Sequence, residues 1–217
     1  MIKNLQLVIF DMDGLMFDTE RIAFYTALEV YQEYNIPIDI EIMKTAIGTT
    51  TFDRRKYIIG EIPDDIDING EIRDIIMARR LEKLAAGIPK KPGLDELIAL
   101  LKTKNIKIAV GTSTPYPRTK YCLESAGMLD LFDCIVTGDQ VPAGKPAPFI
   151  FQKACSTLNV EPAQALVLED SINGALAAKS AGIPCILVPD IVEPPAEIRE
   201  IVYGVVASLA DVAALIF

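Results

Sequence analysis

Short apolar runs alternate with longer amphipathic segments along most of the chain. The runs are rich in Val, Ile and Leu with little polar alternation, which is typical of strands buried on both faces of a sheet. They predict strands at Leu5–Phe10, Ile106–Val110, Cys134–Thr137, Ala165–Leu168 and Cys185–Val188. Helices are predicted at Gly93–Lys104, Pro117–Ala126, Pro148–Leu158 and Ser171–Ala181, and a strand followed by a helix within Ile201–Phe217. This alternation predicts a parallel sheet with right-handed crossovers.

The segment between the first strand and the later repeat has a different pattern. Apolar residues recur there at helical spacing, around Phe24–Tyr31 and Ile75–Leu84, and no strand pattern is convincing. We therefore predict an α/β fold: a Rossmann-like, doubly wound parallel sheet core with an inserted all-helical cap domain. The predicted boundaries are 1–17 and 88–217 for the core and 18–87 for the cap.

Composition narrows the classes of function. The chain of 217 residues has 21 Lys and Arg against 30 Asp and Glu, a net charge of −9, and no long basic run. Nucleic acid and anionic membranes are therefore not expected partners. The absence of histidine excludes His-based triads, imidazole zinc sites and His general bases. The four cysteines form no C-x-x-C pair, and no signal peptide or membrane span is predicted, so we expect a cytoplasmic protein.

Acidic and hydroxyl side chains follow three of the predicted strands. Ligands of an open parallel sheet bind beyond the carboxyl ends of its strands, so these positions are candidate site residues. The groups are Asp11, Met12, Asp13 and Gly14; Gly111, Thr112, Ser113 and Thr114; and Glu169, Asp170 and Ser171, with Gly144, Lys145 and Pro146 between the last two in the chain.

Each group alone has a plainer interpretation. Asp11 and Asp13 could be acids of a surface turn, and Glu169 and Asp170 could cap a helix. Lys145 could be an ordinary solvated lysine. The ordered combination, with every group at a strand end, is far more specific than any of its parts.

The predicted clustering of carboxylates requires a cation. Asp11, Asp13, Glu169 and Asp170 would repel one another strongly if placed together. Because the donors are all oxygens, with no His or Cys beside them, the pattern favours a hard ion such as Mg²⁺. A carboxylate beside Mg²⁺ can attack phosphorus and form an aspartyl phosphate, while a lysine offsets the negative charge.

These motifs, in this order, resemble those of the haloacid dehalogenase (HAD) superfamily. The similarity lies in D-M-D-G at residues 11–14, Thr112, Lys145 and the Glu169-Asp170 pair, and it extends over the whole chain. The stretches VIFDMDGLMFDTE, GKPAPFIF and LEDSINGALAAKSAG are similar to the β-phosphoglucomutase-like phosphatase branch, whose helical cap follows the first motif.

The resemblance implies catalytic roles. Asp11 would be the nucleophile, and Asp13 would protonate the leaving group and then activate water. Thr112 would bind a phosphoryl oxygen, and Lys145 would bridge the phosphoryl group and Asp11.

The resemblance also implies a Mg²⁺ site. Asp11, Asp170 and the main-chain carbonyl of Asp13 would hold the ion, and Glu169 would help directly or through water. Catalysis in cap-bearing members needs no partner subunit, so we expect none to be required.

Mutases of the same branch provide the main alternative. They use a cap histidine and a cap arginine that follows the glycine of the cap loop. This chain has no histidine, Gly48 is followed by Thr49, and Arg54 is out of register. These departures favour Mg²⁺-dependent hydrolysis of a small phosphomonoester, a sugar or nucleoside phosphate, over a phosphohexomutase.

Substrate-binding candidates lie in both predicted domains. They are Thr112 and Ser113 in the core, and Glu20, Gly48, Thr49 and Arg54 in the cap. Arg54 could instead be solvated, and the threonine run could cap a helix. A protein that only binds phosphate is disfavoured because Asp11 and Lys145 are both present, and a receiver domain is disfavoured by the chain length and the helical insertion.

Overall fold

The computed structural model of the protein describes residues 2, 4–45, 47, 54–62 and 66–217. The chain forms two compact units, one of Met1–Asp18 with Pro89–Phe217 and the other of Thr19–Ile88. We call them the sheet unit and the helical unit.

The sheet unit is built on one parallel sheet. Its strands are β1 (Leu7–Phe10), β2 (Lys107–Gly111), β3 (Cys134–Val136), β4 (Ala165–Glu169), β5 (Cys185–Leu187) and β6 (Gly204–Val205), in the order β3-β2-β1-β4-β5-β6. Phe10 is in register with Val110 on one side and Leu168 on the other. The residues that follow these three strands therefore lie within one residue of the same level at the sheet edge. The chain reverses its direction of winding between β1 and β4, which is where ligands of such sheets bind.

The first three helices of the chain belong to the helical unit, and the later ones belong to the sheet unit, where they cover the sheet. Along the chain they are α1 (Thr19–Glu33), α2 (Ile40–Lys44), α3 (Arg73–Ala85), α4 (Leu94–Thr103), α5 (Tyr116–Ser125), α6 (Phe149–Leu158), α7 (Ile172–Ala181), α8 (Ala196–Arg199) and α9 (Leu209–Ile216). Every residue of β1 is 0% exposed, as the continuous apolar run predicts for a strand covered on both faces. Phe151 of α6 and Ala178 of α7 pack on one face, and α4 contacts both β2 and α9. The predicted doubly wound α/β sheet is confirmed.

The helical unit is held together by α1 and α3. Arg79 of α3 pairs with Glu33 of α1 at 2.6 Å on the exposed side. Inside the unit the hydroxyls of Tyr31 and Tyr57 lie 2.9 Å apart, and both side chains are buried. Its described residues form helices and turns, with only an isolated bridge between Ile38 and Ile58, so the predicted helical insertion is confirmed. The action of this unit as a cap stays a prediction.

Two chain segments meet where the helical unit is inserted. The Asp18 N–H donates to the Pro89 carbonyl at 2.9 Å, and the Lys91 N–H donates to the Met16 carbonyl at 2.9 Å. The Lys91 ammonium contacts Asp18 at 3.0 Å and Asp190, in the loop after β5, at 2.6 Å. The departing and returning segments are thus joined within the sheet unit. Among the described residues, no helix has the length and apolar character needed to cross a membrane.

Candidate active site

The loop after β1 places the first two acids at the sheet edge. The Asp11 N–H donates to the Leu168 carbonyl at 3.0 Å, so the ladder to β4 continues one residue past the strand. Gly14 has φ +91°, and its N–H donates to the Phe17 carbonyl at 2.9 Å, which closes a tight turn. A Cβ on Gly14 would overlap with the carboxylate of Asp170. The glycine therefore provides the turn conformation and the room for this carboxylate.

Lys145 joins two buried carboxylates. Its Nζ contacts Oδ1 of Asp11 and lies 2.6 Å from Oε1 of Glu169. The lysine side chain is only 5% exposed, and its Nζ lies 5.0 Å from the ring centre of Phe151. This geometry excludes the interpretation of Lys145 as a solvated surface residue.

Burial and the charge of the partner shift the pKa values of Asp11 and Lys145 in opposite directions. Burial raises the pKa of Asp11 to about 8, Lys145 opposes that rise, and Glu169 adds to it. Burial alone would lower the pKa of Lys145, but the charges of Asp11 and Glu169 outweigh it and raise that pKa above its usual value. Lys145 is therefore positively charged at neutral pH. Further positive charge beside Asp11 would favour its ionised form.

Glu169 is fixed at the start of α7. Its Oε2 accepts hydrogen bonds from the Asp170 N–H at 3.0 Å and from the N–H and hydroxyl of Ser171, both at 2.9 Å. Ser171 also caps the helix, since its hydroxyl oxygen accepts the Gly174 N–H at 3.0 Å. The carboxylate is completely buried and favourably placed in the field of the helix N-terminus.

Three of the predicted metal ligands come together. Asp11, Glu169 and Asp170 each offer a carboxylate oxygen, and these oxygens lie within 4.8 Å of one another. A set of hard oxygen donors of this kind fits Mg²⁺. The carboxylate of Asp13, which is among the described residues, is not part of this group.

A hydroxyl-rich loop follows β2. The Thr112 N–H donates to the Val136 carbonyl at 3.0 Å, and the Thr112 hydroxyl oxygen accepts the Thr114 N–H at 3.1 Å. The Thr114 hydroxyl donates to Oδ2 of Asp13 at 2.7 Å. The predicted phosphate-binding Thr112 and Ser113 thus lie in the loop that also contacts Asp13. Sequence reasoning assigned no role to Thr114; the signal was its place in a run of hydroxyl residues at a strand end.

A second loop supports this one. The Asp139 carboxylate accepts hydrogen bonds from the Thr137 hydroxyl at 2.6 Å and from the Tyr116 N–H at 3.1 Å. These bonds hold the pKa of Asp139 below its usual range, chiefly through Thr137. A Cβ on Gly138 would overlap with the carbonyl oxygen of Ser113, so the two loops approach closely at this glycine.

The predicted substrate residues of the cap are only partly described. Glu20 lines a cavity of about 160 Å³ within the helical unit, together with Arg80 and apolar side chains such as Phe24. Gly48, Thr49 and the side chain of Arg54 lie outside the described residues. The role of all four residues in substrate binding stays a prediction.

Comparison with known proteins finds related sequences over most of the chain. A family profile described as haloacid dehalogenase-like hydrolase matches residues 8–188. A relative from Thermotoga maritima, named phosphorylated carbohydrates phosphatase, is 34% identical over 217 residues, which cover 98% of this chain and 90% of the relative.

Solved structures show the same similarity. The structure of CbbY from Rhodobacter sphaeroides in complex with phosphate has a TM-score of 0.71 and 29% identity, covering 96% of each chain. A Thermotoga maritima structure, assigned provisionally as a β-phosphoglucomutase, has a TM-score of 0.76 and 28% identity, covering 98% of this chain and all of the other.

Proposed function

The chain belongs to the haloacid dehalogenase-like hydrolases, in their β-phosphoglucomutase-like branch, and from this premise we propose that it hydrolyses a small phosphorylated sugar through an aspartyl phosphate. It is a phosphoric monoester hydrolase. The choice of a sugar over a nucleoside phosphate is supported by the relative named for phosphorylated carbohydrates.

The surroundings of Asp11 are the main support for this proposal. Asp11 is buried at the end of β1, in contact with Lys145 and grouped with Glu169 and Asp170. A carboxylate in such a place is shielded from water and has a cation on one side. It is suited to attack an electrophilic phosphorus that is brought to the sheet edge.

The first half-reaction transfers the phosphoryl group to Asp11. A carboxylate oxygen of Asp11 attacks phosphorus, and the bond between phosphorus and the ester oxygen breaks. The departing oxygen takes a proton from Asp13, which leaves the sugar as a neutral alcohol. Thr112 and Ser113 hold the phosphoryl oxygens, and Lys145 offsets the charge that gathers on them.

The second half-reaction releases phosphate. The Asp13 carboxylate takes a proton from a water molecule while the water oxygen attacks phosphorus. The bond between phosphorus and Asp11 breaks, and Asp11 returns to its carboxylate form. Asp13 therefore begins and ends the cycle protonated.

The proposed metal ligands are Asp11, Asp170 and the main-chain carbonyl of Asp13. A bound Mg²⁺ would supply positive charge that keeps Asp11 ionised and neutralises phosphoryl oxygens. Both oxygens of Glu169 already accept hydrogen bonds, Oε1 from Lys145 and Oε2 from three donors. We therefore assign Glu169 to hold Lys145, and it would assist a bound metal ion through water.

Hydrolysis is preferred to the mutase alternative. The chain lacks the cap histidine that the mutases of this branch use. Glu20, Gly48, Thr49 and Arg54 remain the proposed substrate residues of the helical unit, and of these Glu20 lines its cavity.

The test is phosphate release from a panel of sugar, nucleoside and nucleotide monophosphates, each with and without Mg²⁺. We expect Mg²⁺-dependent release from one or a few sugar phosphates and none from the Asp11→Asn variant. Interconversion of hexose 1- and 6-phosphates with a trace of bisphosphate, without phosphate release, would replace hydrolase by mutase. Preference for nucleoside esters would keep the reaction and overturn the sugar assignment.

A further inference from the structure

Thr114 contacts the carboxyl group of Asp13. Its hydroxyl donates to Oδ2 of Asp13 at 2.7 Å, across 101 residues of sequence. The carboxyl group of an aspartate turns easily about its last torsion, which has broad minima. A hydrogen bond to one oxygen restricts that rotation and makes the two oxygens of Asp13 different.

Thr114 is itself held on two sides. Its N–H donates to Oγ1 of Thr112 at 3.1 Å, and its carbonyl accepts the hydroxyl of Thr119 at 3.2 Å. Thr119 is fully buried in α5. Two residues after Thr114, the Tyr116 N–H is bonded to Asp139. The backbone is thus fixed on both sides of the threonine, so its hydroxyl has a defined direction.

We propose that Thr114 is a positioning residue for proton transfer, acting through Asp13; the inference rests on the proposed phosphatase function. With Oδ2 engaged by Thr114, Oδ1 is the atom that gives its proton to the leaving oxygen and later takes a proton from water. Much of the rate enhancement from a general acid depends on its orientation, because a misoriented carboxyl group must rotate toward the leaving oxygen before it can give up its proton.

If Thr114 orients Asp13, the loss of rate on its substitution depends on the leaving group of the ester. An alkoxide leaves phosphorus only as it gains a proton, whereas p-nitrophenolate is a stable anion and leaves without one. A defect in orienting Asp13 therefore slows transfer from a sugar phosphate more than transfer from p-nitrophenyl phosphate. A general loosening of the site would slow both to the same extent.

The experiment compares first-turnover rates of the two esters in rapid mixing, with Mg²⁺ present. Thr114→Val removes the hydroxyl and keeps the branched shape; Thr114→Ser keeps the hydroxyl. Thr103→Val is the matched control, because the exposed Thr103 hydroxyl bonds only to the Leu100 carbonyl of its own helix among the contacts described. Thermal unfolding of each variant checks that the fold is retained.

We expect Thr114→Val to slow transfer from the sugar ester about 10- to 100-fold, because Asp13 becomes negatively charged as it gives up its proton and a hydrogen bond to a charged group has about this value. The loss for p-nitrophenyl phosphate should be much smaller. Thr114→Ser should recover most of the rate, and Thr103→Val should match the wild type.

Two results would overturn the inference. One is an equal loss on both esters, which would give Thr114 a purely structural role. The other is a Thr114→Ser variant as slow as Thr114→Val, which would mean that the hydroxyl is not the active group. Failure of the function itself would appear differently, as a wild-type protein that releases no phosphate from any ester.

Discussion

The carboxylate of Glu169 lies so close to Gly174 that a methyl group on this glycine would overlap with the carboxylate carbon. The same carboxylate binds Lys145 at 2.6 Å. The absence of a side chain at residue 174 therefore allows the start of α7 to close around Glu169, and through it sets the position of the lysine.

Gly174→Ala should lower both stability and turnover. Alanine stabilises a helix by about 1 kcal/mol relative to glycine, so this substitution would stabilise the protein if the methyl group met no neighbour. Here the methyl group displaces Glu169 and weakens hydrogen bonds to a buried charge, worth about 1.5–3 kcal/mol each. Thermal unfolding and phosphate release measure the two effects. Ser180→Ala, an exposed change in the same helix, is the control, and equal behaviour of the two variants would contradict the prediction.

Asp11→Asn should abolish turnover while the protein still folds. The amide keeps the shape of the side chain but cannot act as the nucleophile, so we expect a loss of at least about 10³-fold. Circular dichroism and thermal unfolding check the fold, and phosphate release checks the activity. Wild-type turnover in this variant would remove Asp11 from the proposed mechanism.

Removal of divalent metal should abolish phosphate release. EDTA should stop phosphate release and excess Mg²⁺ should restore it, since the grouped carboxylates of Asp11 and Asp170 need a cation. Asp170→Asn should raise the Mg²⁺ concentration needed for half-maximal activity. Titration of activity against free Mg²⁺ gives this value for both proteins; an unchanged midpoint would exclude Asp170 as a ligand.

Lys91→Met should destabilise the sheet unit. The Asp190 side chain is only 2% exposed, and loss of the ammonium 2.6 Å away leaves its charge buried. Breaking a buried pair in this way costs about 3–5 kcal/mol.

The neighbouring Lys90 supplies the control for this prediction. Lys90 pairs with the exposed Asp95, so Lys90→Met should change the free energy of unfolding by about 1 kcal/mol or less. Urea denaturation measures both variants, and equal losses would show that the Lys91 pair does not carry the expected stability.

The lowered pKa of Asp139 predicts a dependence on pH. The folded state favours its carboxylate, first through the Thr137 hydroxyl, so its contribution to stability is present above its usual pKa of 3.8. That contribution is lost as the pH falls through the lowered value. Thr137→Val should raise the pKa of Asp139, as measured by an NMR titration of the carboxylate; an unchanged titration would show that the hydroxyl bond is not its cause.

Sequence reasoning located the sheet and the acids at its edge, because both depend on local pattern. A continuous apolar run followed by Asp11 and Asp13 is sufficient to predict a buried strand and a loop at its carboxyl end. Strand β6 has two residues, too few for such a pattern, and it was predicted only as part of Ile201–Phe217.

The contacts between distant loops could not be predicted in this way. The bond from Thr114 to Asp13 depends on the register of β1 and β2. The approach of Glu169 to Gly174 depends on how tightly α7 begins. Both contacts result from tertiary packing, and the local sequence around these residues is compatible with many other conformations.

The hydrogen bonds that join Asp18 to Pro89 and Met16 to Lys91 have a consequence for evolution. The inserted segment begins and ends at neighbouring points of one small ladder, so its length and sequence can change while the strands on either side keep their register. The sheet unit can therefore keep its structure when the inserted segment changes. We therefore expect that exchange of the inserted segment leaves Asp11, Lys145 and Glu169 where they are.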